Sequence, residues 1–260
     1  MPLVIFEPRE SVTIIRLNRP EKRNALSREM ISELTEIFST FKNQSDLRAV
    51  ILTGAGDKAF CAGTDIAELT AVGNDTTRAD EVSKRGQELC DQIENCGVPV
   101  VAAVNGIAFG GGCELALACH LRIASENAQF SLPETKLGVV PAYGGTQRLA
   151  REIGQGRATE MMLTGRTVSA AEALQFGLVN HVVAAADLLR EAEALANEIA
   201  QLAPLAIRAC LQAVIRGAEL PLEEGLALEA KLFAQLFATN DVREGTSAFL
   251  EKRPPVFKGK

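Results

Sequence analysis

Apolar positions along this chain recur at two spacings, one of strands and one of helices. Leu3–Phe6 and Ser11–Leu17, the latter with Val12, Ile14 and Leu17, predict two strands separated by a turn containing Pro8. Ser27 reads as the N-cap of a helix to about Lys42, with Met30, Leu34, Ile37 and Phe41 along one face. Arg48–Thr53 predicts a third strand, and Asp65 with Glu68 fits a capping box that starts a helix near Ile66. Asp75–Cys96 is polar first and amphipathic later, through Val82, Leu89 and Ile93, and reads as a mobile surface segment leading into a helix. Val100–Val104, His120–Ser125 and Ala128–Leu132 return to the sheet, and this alternation indicates an α/β fold.

The pattern changes after Gly145. Thr146–Ile153, Arg157–Leu163 and Ala170–Phe176 read as helices, with a Ser169/Glu172 capping box and Gly177 as C-cap. Val179–Val183 is a last strand. Ala185–Leu202, Pro204–Arg216, Pro221–Phe237 and Asn240–Lys252 then predict an all-helical C-terminal region, followed by an extended basic tail from Arg253 to Lys260. The division expected is 1–200 as core and 201–260 as helical extension. The Ala/Leu-rich C-terminal helices offer more apolar surface than one thin layer buries, which predicts contacts with further copies of the chain.

One stretch departs from plain patterning. After Val100–Val104 come Gly110, Gly111 and Gly112, which open a helix beginning Cys113-Glu114-Leu115. Glycines let backbone N–H groups approach a ligand, and a helix start aims unpaired N–H groups and a positive dipole end at the same point. Such a place suits an oxygen that gains negative charge during reaction. Glu114 is a carboxylate among apolar neighbours, so it needs a strong partner or a raised pKa. Glu134 follows Pro133 twenty residues later. Two carboxyls beside an oxyanion site are the parts of acid–base chemistry next to a carbonyl. Each has a plain structural reading by itself: a first-turn Glu, a Glu after an N-terminal proline, a glycine cluster for close packing. Gly63 and Thr64 precede another helix start and offer a second backbone donor from a separate segment.

Composition narrows the classes. The chain has 260 residues, 47% hydrophobic and 23% charged, enough for a substantial core. A net charge of −6 argues against a general nucleic-acid binder. Six cysteines without a C-x-x-C pair read as buried thiols of a reducing compartment. Only His120 and His181 are present, which argues against a histidine metal site. Met1–Glu10 lacks a basic n-region and a long apolar run, so no secretory signal or membrane span is expected, and the cytoplasm is the expected compartment. Lys22 and Arg23, in a polar loop, are either solvated or a phosphate-contacting edge. Gly54-Ala55-Gly56 has neither Walker nor dinucleotide spacing.

Taken together, Asn18-Arg19-Pro20, Asn24-Ala25-Leu26, Ala59-Phe60-Cys61-Ala62-Gly63-Thr64-Asp65, Ala103-Val104-Asn105-Gly106, Gly110-Gly111-Gly112-Cys113-Glu114-Leu115, Pro133-Glu134, Leu137-Gly138, Gly144-Gly145-Thr146-Gln147-Arg148-Leu149 and Glu251-Lys252-Arg253 resemble the crotonase (enoyl-CoA hydratase/isomerase) superfamily, in family order and over nearly the whole chain. The resemblance implies an α/β fold, a spiral of β-β-α units with a helical C-terminal trimerisation region. It also implies homotrimers or hexamers, an acyl-CoA substrate, and no metal or redox cofactor. By family pattern the backbone N–H groups of Thr64 and Gly111 form the oxyanion hole. The CoA part lies near Lys22, Arg23, Ala25 and the segment Ala62, Gly63, Asp65 and Ile66, with Phe249 and Lys252 completing an edge from a neighbouring subunit. Gly110, Pro133, Ala142 and Tyr143 complete the substrate-binding set.

Because both Glu114 and Glu134 are present, the reaction implied is syn addition of water to a 2-trans-enoyl-CoA, giving a 3-hydroxyacyl-CoA. Glu114 acts as base on the water, and Glu134 holds that water and protonates the α-carbon. Rivals on the same scaffold are a Δ3,Δ2-enoyl-CoA isomerase and a hydratase of a specialised acyl-CoA. A non-catalytic or RNA-binding role is a rival from another class, which the acidic balance and the carboxylate pair disfavour. Two departures from the family stand out. Ala142-Tyr143 occupies positions where many hydratases have glycine or aspartate and a small residue, so Tyr143 narrows the acyl pocket or supplies a hydroxyl. His120 stands where the family often has aspartate, and reads as structural.

Overall fold

The computed structural model describes residues 2–260; Met1, the first residue of the N-terminal reading, lies outside them. Two sheets stack in the N-terminal part. The larger takes strands β1 (Val4–Arg9), β2 (Val12–Leu17), β3 (Ala49–Gly54), β5 (Val100–Val104), β7 (Leu121–Ser125) and β10 (His181–Val183), in that spatial order. The smaller takes β4 (Ala59–Cys61), β6 (Ile107–Phe109), β8 (Gln129–Ser131) and β9 (Val168–Ser169). The pairs β3/β4, β5/β6 and β7/β8 each give one strand to each sheet before the chain enters helices. This is the α/β spiral of β-β-α units that the resemblance implied.

Parallel pairing joins β2, β3, β5, β7 and β10, so β3 and β5 are buried on both faces and read as continuous apolar runs. Helices α1 (Arg28–Thr40), α3 (Thr76–Glu94) and α4 (Gly111–Ala118) contribute to the main core, with Phe38, Phe41, Phe60 and Phe130 fully buried. On the other face of the large sheet, α8 (Leu188–Ala200) lays Leu188, Ala192 and Ala196 against Ile14, Ile51 and Val101, a second apolar layer. Between these lie α2 (Ile66–Val72), α5 (Gly145–Ile153), α6 (Gln155–Thr164) and α7 (Ala170–Phe176). The chain ends in α9 (Pro204–Gly217), α10 (Leu222–Leu236) and α11 (Asn240–Glu251).

Several predicted boundaries shift for identifiable reasons. Pro8 is inside β1, paired with Thr13; β1 is an edge strand, where a missing N–H is tolerated, and the turn falls at Glu10, φ 51°. The polar start of residues 75–96 is helix, not a mobile lead-in: the Asp75 side chain accepts the N–H groups of Thr77 and Arg78, and α3 runs unbroken for 19 residues. Asp65 caps α2 through Ala67 N–H, but Glu68 does not close a capping box, because its carboxylate accepts Arg28 N–H instead (2.8 and 2.9 Å). The Ser169/Glu172 box and the left-handed Gly177 (φ 81°) form as predicted.

The tail is extended, and it is also tied down. Buried Asp241 accepts Lys258 and Gly259 N–H groups, each at 2.8 Å, and Arg253 forks onto Glu244. Among the described residues no single helix is long and apolar enough to cross a membrane, and no group of three His, Cys, Asp or Glu side chains is placed to hold a metal ion.

Candidate active site

Residues from four separated segments meet where α4 begins. Gly110 (φ 51°) ends the β6 loop, and Gly111 is the first residue of α4, whose N–H has no acceptor within the helix. Beside it lies the loop that follows β4. Gly63 (φ 104°) packs so closely that a β-carbon there would lie 2.8 Å from Phe109 O and 3.4 Å from Gly111 N. Thr64 N–H has no backbone acceptor among the described residues. Gly112 presses on the β4 backbone, where a side chain would collide with Cys61 O. Two N–H groups without a backbone acceptor among the described residues, from separate chain segments, thus lie near each other.

Glu114, in the first turn of α4, is 2% exposed. Its Oε1 accepts Tyr143 N–H (2.8 Å) and Gly145 N–H (2.7 Å), which leaves Oε2 for another partner. Burial pushes its carboxyl up to about 7 against those two hydrogen bonds, with the Glu134 charge adding to the rise. Glu134 opens a short 3-10 turn, Glu134–Leu137, after Pro133. Its Oε1 lies 2.9 Å from where a β-carbon on Gly110 would stand, so this carboxyl lies close against the glycine loop. Its Oε2 is buried without a hydrogen-bond partner. Burial raises its pKa too, opposed by its own backbone N–H. A buried carboxyl oxygen with no partner is costly, and a reacting group is one reason to keep it.

The loop Pro141–Gly145 holds this arrangement. Ser83 Oγ and Gln87 Nε2, from α3, both donate to Ala142 O. Arg148 in α5 donates through Nη1 to Tyr143 O (3.2 Å), and pairs with Asp91 (2.8 Å) and Glu94 (2.9 Å) on α3. Thr64 Oγ1 donates to the Tyr143 hydroxyl (3.0 Å).

The polar loop at Lys22 is docked on the same edge. Ala62 N–H donates to Arg23 O, Leu26 N–H to Gly63 O, and Asp65 N–H to Leu26 O, so Ala25 lies beside the Ala62–Ile66 segment. Arg19 ties the two, bonding Ala25 O (2.8 Å) and Asp65 (3.0 Å). Fully buried Asn24, in the left-handed region, bonds Ala55 O, Ala59 O and Arg19 N–H. Lys22 and Arg23 are exposed, as is Ile66 at 56%. Phe249 (83% exposed) and Lys252 sit on α11 and its C-terminal cap, and within the chain they share no hydrogen bond with these loops among the described residues. His120 is held structurally. Val100 N–H donates to Nδ1 (2.9 Å), so the proton is on Nε2, 3.1 Å from Glu94 O, and burial lowers its pKa.

Arg19, Gly86 and Arg148 escaped the reading of the sequence as site residues. Arg19 and Arg148 stood inside quoted motifs, and only their ion pairs across the fold reveal what they hold.

The comparisons agree over the full length. Residues 7–260 match the family described as enoyl-CoA hydratase/isomerase. The chain belongs to the enoyl-CoA hydratase/isomerase family. It is 41% identical to the short-chain-enoyl-CoA hydratase of Clostridium acetobutylicum, covering 96% of this chain and 95% of the relative. It is 42% identical to the (E)-benzylidenesuccinyl-CoA hydratase of Thauera aromatica, covering 98% and 99%. Among solved structures, the enoyl-CoA hydratase from Bacillus anthracis superposes with a TM-score of 0.96 at 41% identity, covering 100% of both chains. The α/β spiral with its C-terminal helices is therefore the family's fold. Two relatives of nearly equal identity are named for acyl groups of very different size, so overall identity leaves the acyl group of this family member open.

Proposed function

We propose that this chain hydrates 2-trans-enoyl-CoA thioesters to 3-hydroxyacyl-CoA. The observation that carries the reading is the convergence of buried Glu114 and half-buried Glu134, whose Oε2 is shut off from water, on the glycine loop that opens α4. Thr64 and Gly111 N–H groups receive the thioester oxygen and stabilise its enolate-like charge; one such donor typically lowers the barrier by about 3–4 kcal/mol. Glu114 Oε1 is fixed by two N–H groups, which leaves Oε2 to take a proton from water as that water adds to the β-carbon. Glu134, with its unpartnered oxygen, holds the water and delivers a proton to the α-carbon. Burial favours keeping one proton on the pair, which titrates as a unit. One proton leaves the pair and one enters it, so the pair is restored each turn and no redox or metal cofactor takes part.

Lys22, Arg23 and Ala25, with Ala62, Gly63, Asp65 and Ile66, take the CoA part, as the docking of those two loops supports. Gly110 and Pro133 shape the approach of Glu134, and Ala142 and Tyr143 the acyl side. Residues 1–200 act as the core and 201–260 as an assembly region for a trimer or a hexamer, in which Phe249 and Lys252 reach a neighbour's CoA site.

Loss of the conjugated enoyl-thioester absorbance of crotonyl-CoA tests the reaction. The parent protein consumes substrate, and Glu114→Gln and Glu134→Gln each lower kcat by at least a hundredfold while still binding CoA. Near-parental turnover by either variant removes that carboxyl from the chemistry. No turnover by a folded parent that binds CoA rejects simple enoyl-CoA hydration.

A further inference from the structure

Gly86 stands in the middle of α3, where glycine weakens a helix relative to alanine. The neighbour that demands it is Tyr143: any β-carbon on Gly86 would collide with Cγ, Cδ1 and Cε1 of that ring. The opposite edge of the ring faces the start of α4, with Cε2 at 3.0 Å and Cδ2 at 3.2 Å from a β-carbon placed on Gly111. The ring therefore fills the whole gap between α3 and the glycine loop. It is 3% exposed, and its hydroxyl is held by Thr64 Oγ1. Its own N–H is on Glu114 Oε1. Burial pushes the phenol up to about 12, so it stays neutral, a wall with a hydrogen-bonding end rather than a charge.

We infer that Tyr143 is the specificity-determining residue of this site, its ring closing the space just beyond the reacting carbons so that short enoyl groups are selected, with Gly86 kept as the notch that admits the ring. The inference rests on the hydration reading for its substrate class. A thioester carbonyl at Thr64 and Gly111 N–H groups puts the α- and β-carbons beside Glu114 and Glu134. Every further carbon then has to pass the ring that lies against Gly111 and is anchored at Thr64. The CoA end leaves on the other side, along Ala25 and the Ala62–Ile66 loop. A longer chain fits only if the ring leaves its notch and gives up the Thr64 hydrogen bond.

The test is kcat/KM for trans-2-enoyl-CoA of four, six and ten carbons, with the parent, Tyr143→Phe, Tyr143→Leu and Tyr143→Ala. The parent is expected to favour the four-carbon over the ten-carbon substrate by at least a hundredfold. Tyr143→Phe keeps that ratio, because the ring remains. Tyr143→Leu and Tyr143→Ala narrow it at least tenfold, with kcat/KM for ten carbons rising in absolute terms, a gain that a merely damaged protein does not show. The leucine variant keeps the gap filled should the alanine variant not fold. A parent that turns over four and ten carbons within threefold overturns the inference, as do ring-less variants that lose activity equally at all lengths. Binding of the saturated thioesters butyryl-CoA and decanoyl-CoA, read by calorimetry, separates this inference from the reaction itself. If crotonyl-CoA is not hydrated but butyryl-CoA binds at least tenfold tighter than decanoyl-CoA in the parent and not in Tyr143→Ala, the pocket assignment stands and the reaction falls. Equal binding of both thioesters overturns the pocket assignment whatever the reaction.

Discussion

Glu114 keeps its proton to about pH 7 because it is cut off from water, and two N–H groups on one oxygen do not offset that loss. A carboxyl whose folded pKa lies above its unfolded value stabilises the fold fully only below the unfolded value. That contribution is lost as pH rises through about 7, where the folded protein has to hold a buried charge. Glutamine at this position keeps an acceptor oxygen for Tyr143 and Gly145 and never ionises. Glu114→Gln is thus expected to gain on the parent in urea denaturation by about 2 kcal/mol more at pH 8 than at pH 5. An equal difference at both pH values refutes a raised Glu114 pKa. The same residue that proposes itself as a base is a liability to stability, which is the usual bargain at a reacting group.

At the scale of elements, α5 is joined to α3 through one side chain. Arg148 reaches Asp91 and Glu94 on α3 and the carbonyl of Tyr143, between two N–H groups that position Glu114. Gly144, φ 105°, is where the loop turns under this guanidinium, and a β-carbon there would collide with Nη1. Arg148→Met leaves Asp91 and Glu94 unpaired and frees the loop, at a cost on the order of 1–3 kcal/mol in stability. Its kinetic signature is expected in kcat, at least tenfold down, with KM changed less than threefold because, among the described residues, Arg148 makes no hydrogen bond to the two loops proposed to take the CoA part; Arg148→Lys recovers part. A KM effect with kcat intact refutes this positioning role.

Elements of this kind differ in how far the sequence exposes them. Ser27 and the Ser169/Glu172 pair state helix starts locally, and the apolar runs of β3 and β5 state buried parallel strands; the Asp75 cap is masked by the polar run that follows it. Of the small sheet only β8 is legible, within the predicted strand Ala128–Leu132; β4, β6 and β9 are hidden, because they are two or three residues long and show no period. Of the candidate site, Glu114 and the glycines stand out as conflicts with their apolar surroundings. Arg148 and Gly86 do not, since their reasons lie in partners more than fifty residues away.

At the scale of the whole molecule, the C-terminal helices are unfinished. Helices α9, α10 and α11 bury only Leu232, Asp241 and Ala248, while Val214, Leu222, Leu226, Phe233, Phe237 and Phe249 remain exposed. An apolar face of that extent is stable in water once another copy covers it. The expectation is a closed assembly of 27.8 kDa chains in threes, read as sedimentation mass by analytical ultracentrifugation at micromolar concentration. Phe233→Glu puts a charge in the face beside Phe237, its edge-on neighbour at 5.1 Å, and is expected to shift the protein to monomer. If Phe249 and Lys252 serve a neighbour's site, the dissociated variant binds CoA at least tenfold more weakly than the parent, although Glu114, Glu134 and the Thr64 and Gly111 N–H groups are untouched. A monomeric parent overturns the assembly. A dissociated variant with parental CoA affinity returns Phe249 and Lys252 to the role of surface residues and leaves the CoA site complete within one chain.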